Sequence, residues 1–229
     1  MKRFLLLLTG GLLFTGSASA QFGLRAGGNL LGFSKSDKLV GAASVQSHAR
    51  PGYQVGVYYE AALSKRFSVV PEVQFSREQQ RVTETSSASL IDASYTSEYR
   101  LNLSYLSVPV LLRVALGPVY LEAGPQLSVL VGGRGTGQTE GNSWGGGGYS
   151  RSTIDQAATD RYNRLDAGFC LGVGVKLPAG LGLNVRAYQG LKQLNTNYTN
   201  DSRTPIPYSG NKEYRQTLQA ALTYQLAAR

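Results

Sequence analysis

Glu60, Glu72, Glu122 and Asp166 are the carboxylates whose placement could do chemistry, as paired general acids and bases or as rungs of an ion path. Each stands in a stretch where polar and apolar residues alternate, and Arg25, Arg100, Arg113, Lys176, Arg186 and Arg215 fall on the same polar phase of such stretches. Two readings follow from one face holding both signs. The charges line an ion path, or they pair and plug the space they share, which is the condition under which buried charges are tolerable.

Catalysis has thinner support. Attack on lipids or peptides usually recruits a His with a Ser or Asp, and the single His, His48, falls in a long connection without an identifiable partner. The single Cys, Cys170, reads as a small filler on the polar face. One Cys and one His leave no cluster for a structural zinc site, so no enzyme, cofactor or metal is expected. The run Gly145 to Gly148 lacks the Lys-Ser/Thr ending of a phosphate-binding loop and reads as flexible loop. Trp144, in the same Gly-rich stretch, is the candidate loop interaction residue: it can anchor a glycan or protein, dip into a bilayer surface, or fold back on its own loop.

The elements that must position these residues are strands. Apolar residues recur with period two from Gln21 onward, the signature of a strand with one polar and one apolar face. Phe22, Leu24, Ala26 and Leu30 oppose Gly23, Arg25, Gly27 and Asn29. The same alternation runs through 53–63, 67–76, 119–131, 165–177, 181–188 and from about Lys212 to Leu226. In the fourth strand, 99–116, the apolar phase shifts from Tyr99, Leu101 and Leu103 to Leu106, Val108 and Val110, which predicts a β-bulge near Pro109.

Eight strands result, and their connections alternate. Ser64-Lys65-Arg66, Gly117-Pro118 and Pro178-Ala179-Gly180 are tight turns, whereas four other links span roughly 19 to 31 residues, the pattern of outer-membrane barrels with short periplasmic turns and long external loops. The expected fold is all-β: an eight-stranded antiparallel up-and-down transmembrane β-barrel. A soluble barrel would carry Lys and Glu outside, but here the polar face is mostly Gly, Ser, Asn, Gln and Thr, suited to a narrow interior. The apolar face carries aromatics towards its ends, Phe22, Phe67 and Tyr224 at the short-turn end and Tyr53, Phe75, Tyr99 and Tyr214 at the other, as interfacial girdles do.

The 229 residues carry 28 Gly, only 16% charged residues and a formal charge of +9. Low charge and high Gly fit a barrel wall. Residues 1–20 read as a secretory signal peptide: Lys2 and Arg3, an apolar run from Phe4 to Phe14, then Ala18-Ser19-Ala20. Residues 21–229 form the barrel domain, exported through the periplasm to the outer membrane. Part of the positive charge leaves with the signal, part lies at a turn and the C-terminus, and the long connections are nearly balanced. No basic stripe is expected, and nucleic acid is not an expected partner.

Phe22-Gly23-Leu24-Arg25-Ala26-Gly27-Gly28-Asn29, the segment PGYQVGVYYEAALSKRFSVVPEVQFS from Pro51 to Ser76, and LSYLSVPVLL from Leu103 to Leu112 together resemble the PorT-like outer-membrane β-barrel proteins of Bacteroidota. Tyr120 to Pro125, Asp166-Ala167-Gly168 and Leu222 to Leu226 continue the match over most of the mature chain. The resemblance implies an integral eight-stranded barrel, inserted by the outer-membrane assembly machinery through its C-terminal strand. The chain departs from that pattern by ending Leu226-Ala227-Ala228-Arg229 rather than at an aromatic. The founding member is associated with type IX secretion.

The expected function is a structural or interaction scaffold with a side-chain-filled lumen. Its partners would be outer-membrane lipid, the assembly machinery during insertion, and an envelope or secreted protein at the loops. A PorT-like component of type IX secretion and a narrow channel or small-solute binding barrel remain as alternatives. The lumen network expected to fill the bore comprises Arg25, Glu60, Glu72, Arg113, Glu122, Asp166, Lys176, Arg186 and Arg215, with Arg100 on the same phase.

Overall fold

The computed structural model describes residues 20–35, 43–88, 93–143, 148–159, 162–194 and 213–226. The expected signal segment, apart from Ala20, and Trp144 lie outside these residues. Nine strands follow in chain order: β1 (Ala20–Lys35), β2 (Ala43–Ala62), β3 (Phe67–Ala88), β4 (Ala93–Leu116), β5 (Val119–Ser143), β6 (Gly148–Ala157), β7 (Leu165–Lys176), β8 (Leu181–Gln193) and β9 (Glu213–Gln225). Eight of them close a ring, β1-β2-β3-β4-β5-β7-β8-β9, sealed by β1 against β9. All pairings are antiparallel, so the expected up-and-down barrel forms. The ninth strand, β6, pairs with the upper half of β5, from Arg134↔Ala157 to Ser143↔Gly148, outside the ring.

Partners followed around the ring from Ala20 through Ala61, Val69, Leu112, Ala123, Leu171, Ala187 and Leu218 return to β1 at Leu30, ten residues along. With eight strands, such a stagger tilts them by about 40° and leaves a bore just wide enough for side chains to fill. The three tight turns and both described chain ends share one rim. There the Ser64 hydroxyl accepts from the Phe67 amide at 3.1 Å, Gly117 takes φ 73°, and the Leu226 amide donates to the Phe22 carbonyl at 2.8 Å.

Alternation sorts the side chains as expected through the lower barrel. Leu24, Val57, Val73, Val108, Leu121, Leu171, Leu183 and Leu222 point outward and are exposed, with Leu171 at 66%. A continuous band of exposed aliphatics on every barrel strand is stable only against lipid. The Phe22 and Tyr59 rings, 5.0 Å apart, edge the band near the turn rim, and Tyr53 and Phe75, 6.4 Å apart, edge it at the far side.

The structure corrects the upper half. β4 carries no phase change: Tyr99, Leu101, Leu103, Tyr105, Ser107, Leu111 and Arg113 all face inward and are buried. The apolar phase shifts because the surroundings invert. Below, lipid lies outside and charges inside; above, the outward face is polar and an apolar cluster of Leu101, Leu103, Tyr105, Leu130, Ala158 and Leu194 fills the bore. The bulge sits instead on β5, where Ser104 pairs with Gly132 but Tyr105 with Leu130, leaving Val131 as the extra residue. Tyr99 is accordingly no girdle residue; it packs inward with Val82 and Ile154.

Among the described residues, the predicted long loops are largely strand. β3 and β4 continue as a hairpin to Ala88 and Ala93. The Gly-rich stretch from Gly132, expected to be loop, is the upper part of β5. Glycine is required there by close approach: a Cβ on Gly137 would meet the Glu98 carbonyl and the Tyr99 Cα and Cβ atoms on the neighbouring strand. His48, expected in a loop, lies in β2 opposite Arg81.

Candidate functional site

The inward polar face of the lower barrel makes a single connected cluster. It begins with glycine. Gly23 on β1 stands opposite Tyr58 of β2, and Gly174 on β7 opposite Tyr120 of β5; a Cβ at either position would overlap the facing ring. The bare backbone lets both phenols lie across the bore, and the Arg113 guanidinium settles between them, 4.1 Å from the Tyr120 centroid and 5.8 Å from that of Tyr58.

From Arg113 the ion pairs run in both directions. One guanidinium nitrogen donates to Glu60 at 2.7 Å, and Lys176 reaches the same carboxylate at 3.2 Å. Another donates to Glu122 at 3.0 Å. Glu122 also accepts from Arg186 at 2.8 Å; Arg186 reaches Glu72 at 3.2 Å, and Arg25 donates to Glu72 at 3.1 Å. The Asn184 amide bridges the cluster, donating to Glu122 at 2.9 Å and accepting from Arg25 at 3.3 Å. Lys176, Glu60, Arg113, Glu122, Arg186, Glu72 and Arg25 come from β7, β2, β4, β5, β8, β3 and β1 in turn. The missing strand, β9, joins through Gln225, whose amide donates to Glu60 at 3.3 Å.

A second hub lies higher, at Arg215 of β9. Its guanidinium is fully buried, pairs with Glu78, donates to Ser128 at 3.1 Å and stands 3.4 Å from Asp166. The rings of Tyr105 and Tyr188 cover it at 3.9 and 4.9 Å, and the Tyr188 hydroxyl donates to Asp166 at 2.7 Å. Gln54, Gln74, Gln126 and Gln219 form a neutral buried belt with the Cys170 thiol, which donates to Gln126 at 3.0 Å. Among the described residues, no group of His, Cys, Asp and Glu is arranged to hold a metal ion.

The structure thus places Arg25, Glu60, Glu72, Arg113, Glu122, Lys176 and Arg186 in one chain of contacts, and Asp166 with Arg215 in the other. Arg100 is not among them: it points outward from β4 and is exposed, because the inward phase of β4 is odd-numbered throughout. Sequence reasoning missed Glu78 by assigning it to a loop. Its signal was the phase of β3, which continues unbroken from Glu72, Gln74 and Ser76 to Glu78 and Gln80, all buried. With Glu78 the two clusters hold five acids and five bases, so the described lumen is formally neutral.

A closed, staggered eight-stranded ring with a lipid-facing aliphatic wall and a charge-paired bore defines an integral outer-membrane β-barrel protein. Residues 15–195 match the family described as outer membrane protein beta-barrel domain, and the chain belongs to that family; its place is the outer membrane. Among solved structures the chain is similar to neisserial surface protein A (14% identity, TM-score 0.46, covering 91% of this chain and 99% of that one). It is also similar to OprG from Pseudomonas aeruginosa (12%, 0.42, 93% and 99%) and to Ail, the attachment invasion locus protein of Yersinia pestis (10%, 0.39, 90% and 99%). No curated protein matches it at a significant level.

Proposed function

We propose that the protein is a structural and interaction scaffold of the outer membrane: a barrel whose bore is closed by its own side chains and whose extended hairpins stand clear of the bilayer to meet an envelope or secreted protein. One observation carries this reading. Side chains from seven of the eight ring strands join in one chain of ion pairs across the lower bore, beneath the Arg215 hub and the apolar cluster around Leu103. Every charge an ion path would need is engaged by an opposite one, and displacing it would strand a buried partner at a cost of about 3–5 kcal/mol. In this reading outer-membrane lipid covers the aliphatic wall, and the assembly machinery inserts the chain.

Planar-bilayer recording on the purified barrel tests the closed bore. No stable openings are expected; a reproducible unit conductance would move the assignment to a narrow channel. The segments resembling PorT-like proteins favour a second reading, a component of type IX secretion. Deleting the gene should then abolish export of specific cargo while leaving other outer-membrane proteins in place.

A further inference from the structure

The upper strands separate charges by face. On β3, Arg77 and Arg81 point outward while Glu78 between them turns into the bore to meet Arg215. Register then aligns further bases with them on the outward face. Arg77 stands opposite Tyr53, Arg81 stands between His48 and Arg100, and Arg50 and Arg134 flank Gln79 and Asn102 in the adjacent row. The near balance of acids and bases along the chain therefore does not describe this surface. Across this face and the β6 edge beside it, six arginines stand with three acids: Glu98 bound to Arg81, Asp155 bound to Arg134 at 2.7 Å, and Glu140 3.6 Å from Arg151. Among the described residues, Arg50, Arg77 and Arg100 have no acidic partner.

Two further observations point to an anion. Arg81 and Arg100 are direct cross-strand neighbours; Glu98 pairs with Arg81, which leaves the Arg100 charge beside it without a carboxylate, and like charges in that position destabilise a sheet unless both are neutralised. The patch also begins where the lipid wall ends. Phe75, whose ring packs 6.4 Å from Tyr53 at the edge of the aliphatic band, is followed on the same face by Arg77, Gln79 and Arg81. At the strand rise and tilt of such a barrel, Arg81 lies about 15 Å beyond Phe75 along the membrane normal. That interval is the headgroup layer of the outer leaflet.

We propose that the outward face of β2 to β5 above Tyr53 and Phe75 is a binding site for the phosphorylated saccharide headgroup of an outer-leaflet glycolipid. Arg77 engages a phosphate nearest the acyl chains, and Arg50, Arg81, Arg100 and Arg134 engage phosphates further out. Guanidinium suits the task because its planar fork bonds phosphate oxygens in pairs. The acyl chains continue down the wall past Phe75.

Native mass spectrometry of the full-length barrel in mild detergent tests the site, with bisphosphorylated lipid A, dephosphorylated lipid A and a soluble heparin oligosaccharide as probes. The bisphosphorylated form should be retained in preference to the dephosphorylated one. Replacing Arg77, Arg81 and Arg100 together by Gln should weaken that retention about a hundredfold, and Glu98→Gln, which removes a competing carboxylate, should strengthen it. Heat-shifted mobility on a gel reports whether each variant folds; if the triple variant does not, Arg100→Gln alone should give a loss of about fivefold. Equal retention of both lipid A forms, or undiminished retention by folded variants, overturns the site. Tighter binding of the heparin oligosaccharide with the same arginine dependence also overturns it, in favour of a soluble polyanion.

Discussion

Arg186 is the residue on which the lower network turns. Its guanidinium bridges Glu72 of β3 and Glu122 of β5 from β8, and the side chain is 2% exposed. A buried pair of this kind contributes little relative to well-packed apolar residues, yet removing one partner is severe because it leaves an uncompensated charge out of water. Arg186→Met should therefore lower the barrel's stability by about 3–5 kcal/mol, measured as an earlier midpoint in urea unfolding followed by gel mobility. Adding Glu122→Gln removes the stranded charge while Arg113 keeps Glu60. The double variant should then unfold at higher urea than Arg186→Met alone. Losses that simply add would show that the two residues are not coupled. Most of this cluster was legible in sequence because each member falls on the polar phase of a clear alternation. Arg100 and Glu78 were not, for one physical reason: both lie above the hydrocarbon band, where the environment no longer sorts apolar side chains outward.

Strands are the scale at which that inversion does its damage to pattern reading. In the lower barrel, lipid enforces apolar outward positions on all eight strands, so the faces, the turns and the closing pair could be anticipated from residue types. Above the girdle the outward positions of β4 include Asn102, Arg100 and Glu98 and the inward ones are Tyr105, Leu103, Leu101 and Tyr99, while β3 turns Ser76, Glu78 and Gln80 inward before Val82 and Arg77, Gln79 and Arg81 outward. The change in β4 between Leu103 and Leu106 imitates a slip in register. Glycine hides β5 differently, since Gly133, Gly135, Gly137 and Gly141 show no face at all although Gly137 is required by the approach of Tyr99. The β5–β6 hairpin so formed has an electrostatic tie in Arg134 and Asp155. The hydrogen bonds from Arg134 hold the Asp155 carboxyl below its ordinary value near 3.8. A depressed carboxyl contributes stability above that value and loses it as pH falls through the lowered one. Hydrogen exchange of the β6 amides should therefore be unaffected by acidification to about pH 4 and accelerate below it. In Asp155→Asn the acid-dependent step should be absent.

The molecule divides at the girdle of Tyr53 and Phe75 into two storeys that are stabilised differently. Below it, eight strands close on themselves, the wall is solvated by lipid, and ion pairs fill the bore. Above it, β3, β4, β5 and β6 continue as a sheet whose inward side, among the described residues, carries the cluster of Leu101, Leu103, Tyr105, Leu130, Ala158 and Leu194 and, further out, the small cluster of Val82, Tyr99 and Ile154. The pairings that seal the ring, Leu116↔Val119 to Tyr105↔Leu130 between β4 and β5 and Val119↔Val175 to Val129↔Leu165 between β5 and β7, all lie below the bulge at Val131. None of them uses β6. Replacing residues 136–155 by a two-residue turn should thus leave a barrel that inserts, shifts on heating and keeps its bore closed. The loss in unfolding free energy should stay within about 2 kcal/mol, the scale of burying one or two side chains such as Tyr99 and Val82. The same truncation removes Asp155, the partner of Arg134, so retention of phosphorylated glycolipid should persist or rise in the shortened protein. Failure of the truncated chain to fold would mean instead that the upper sheet assists closure of the ring, and that the two storeys form one cooperative unit.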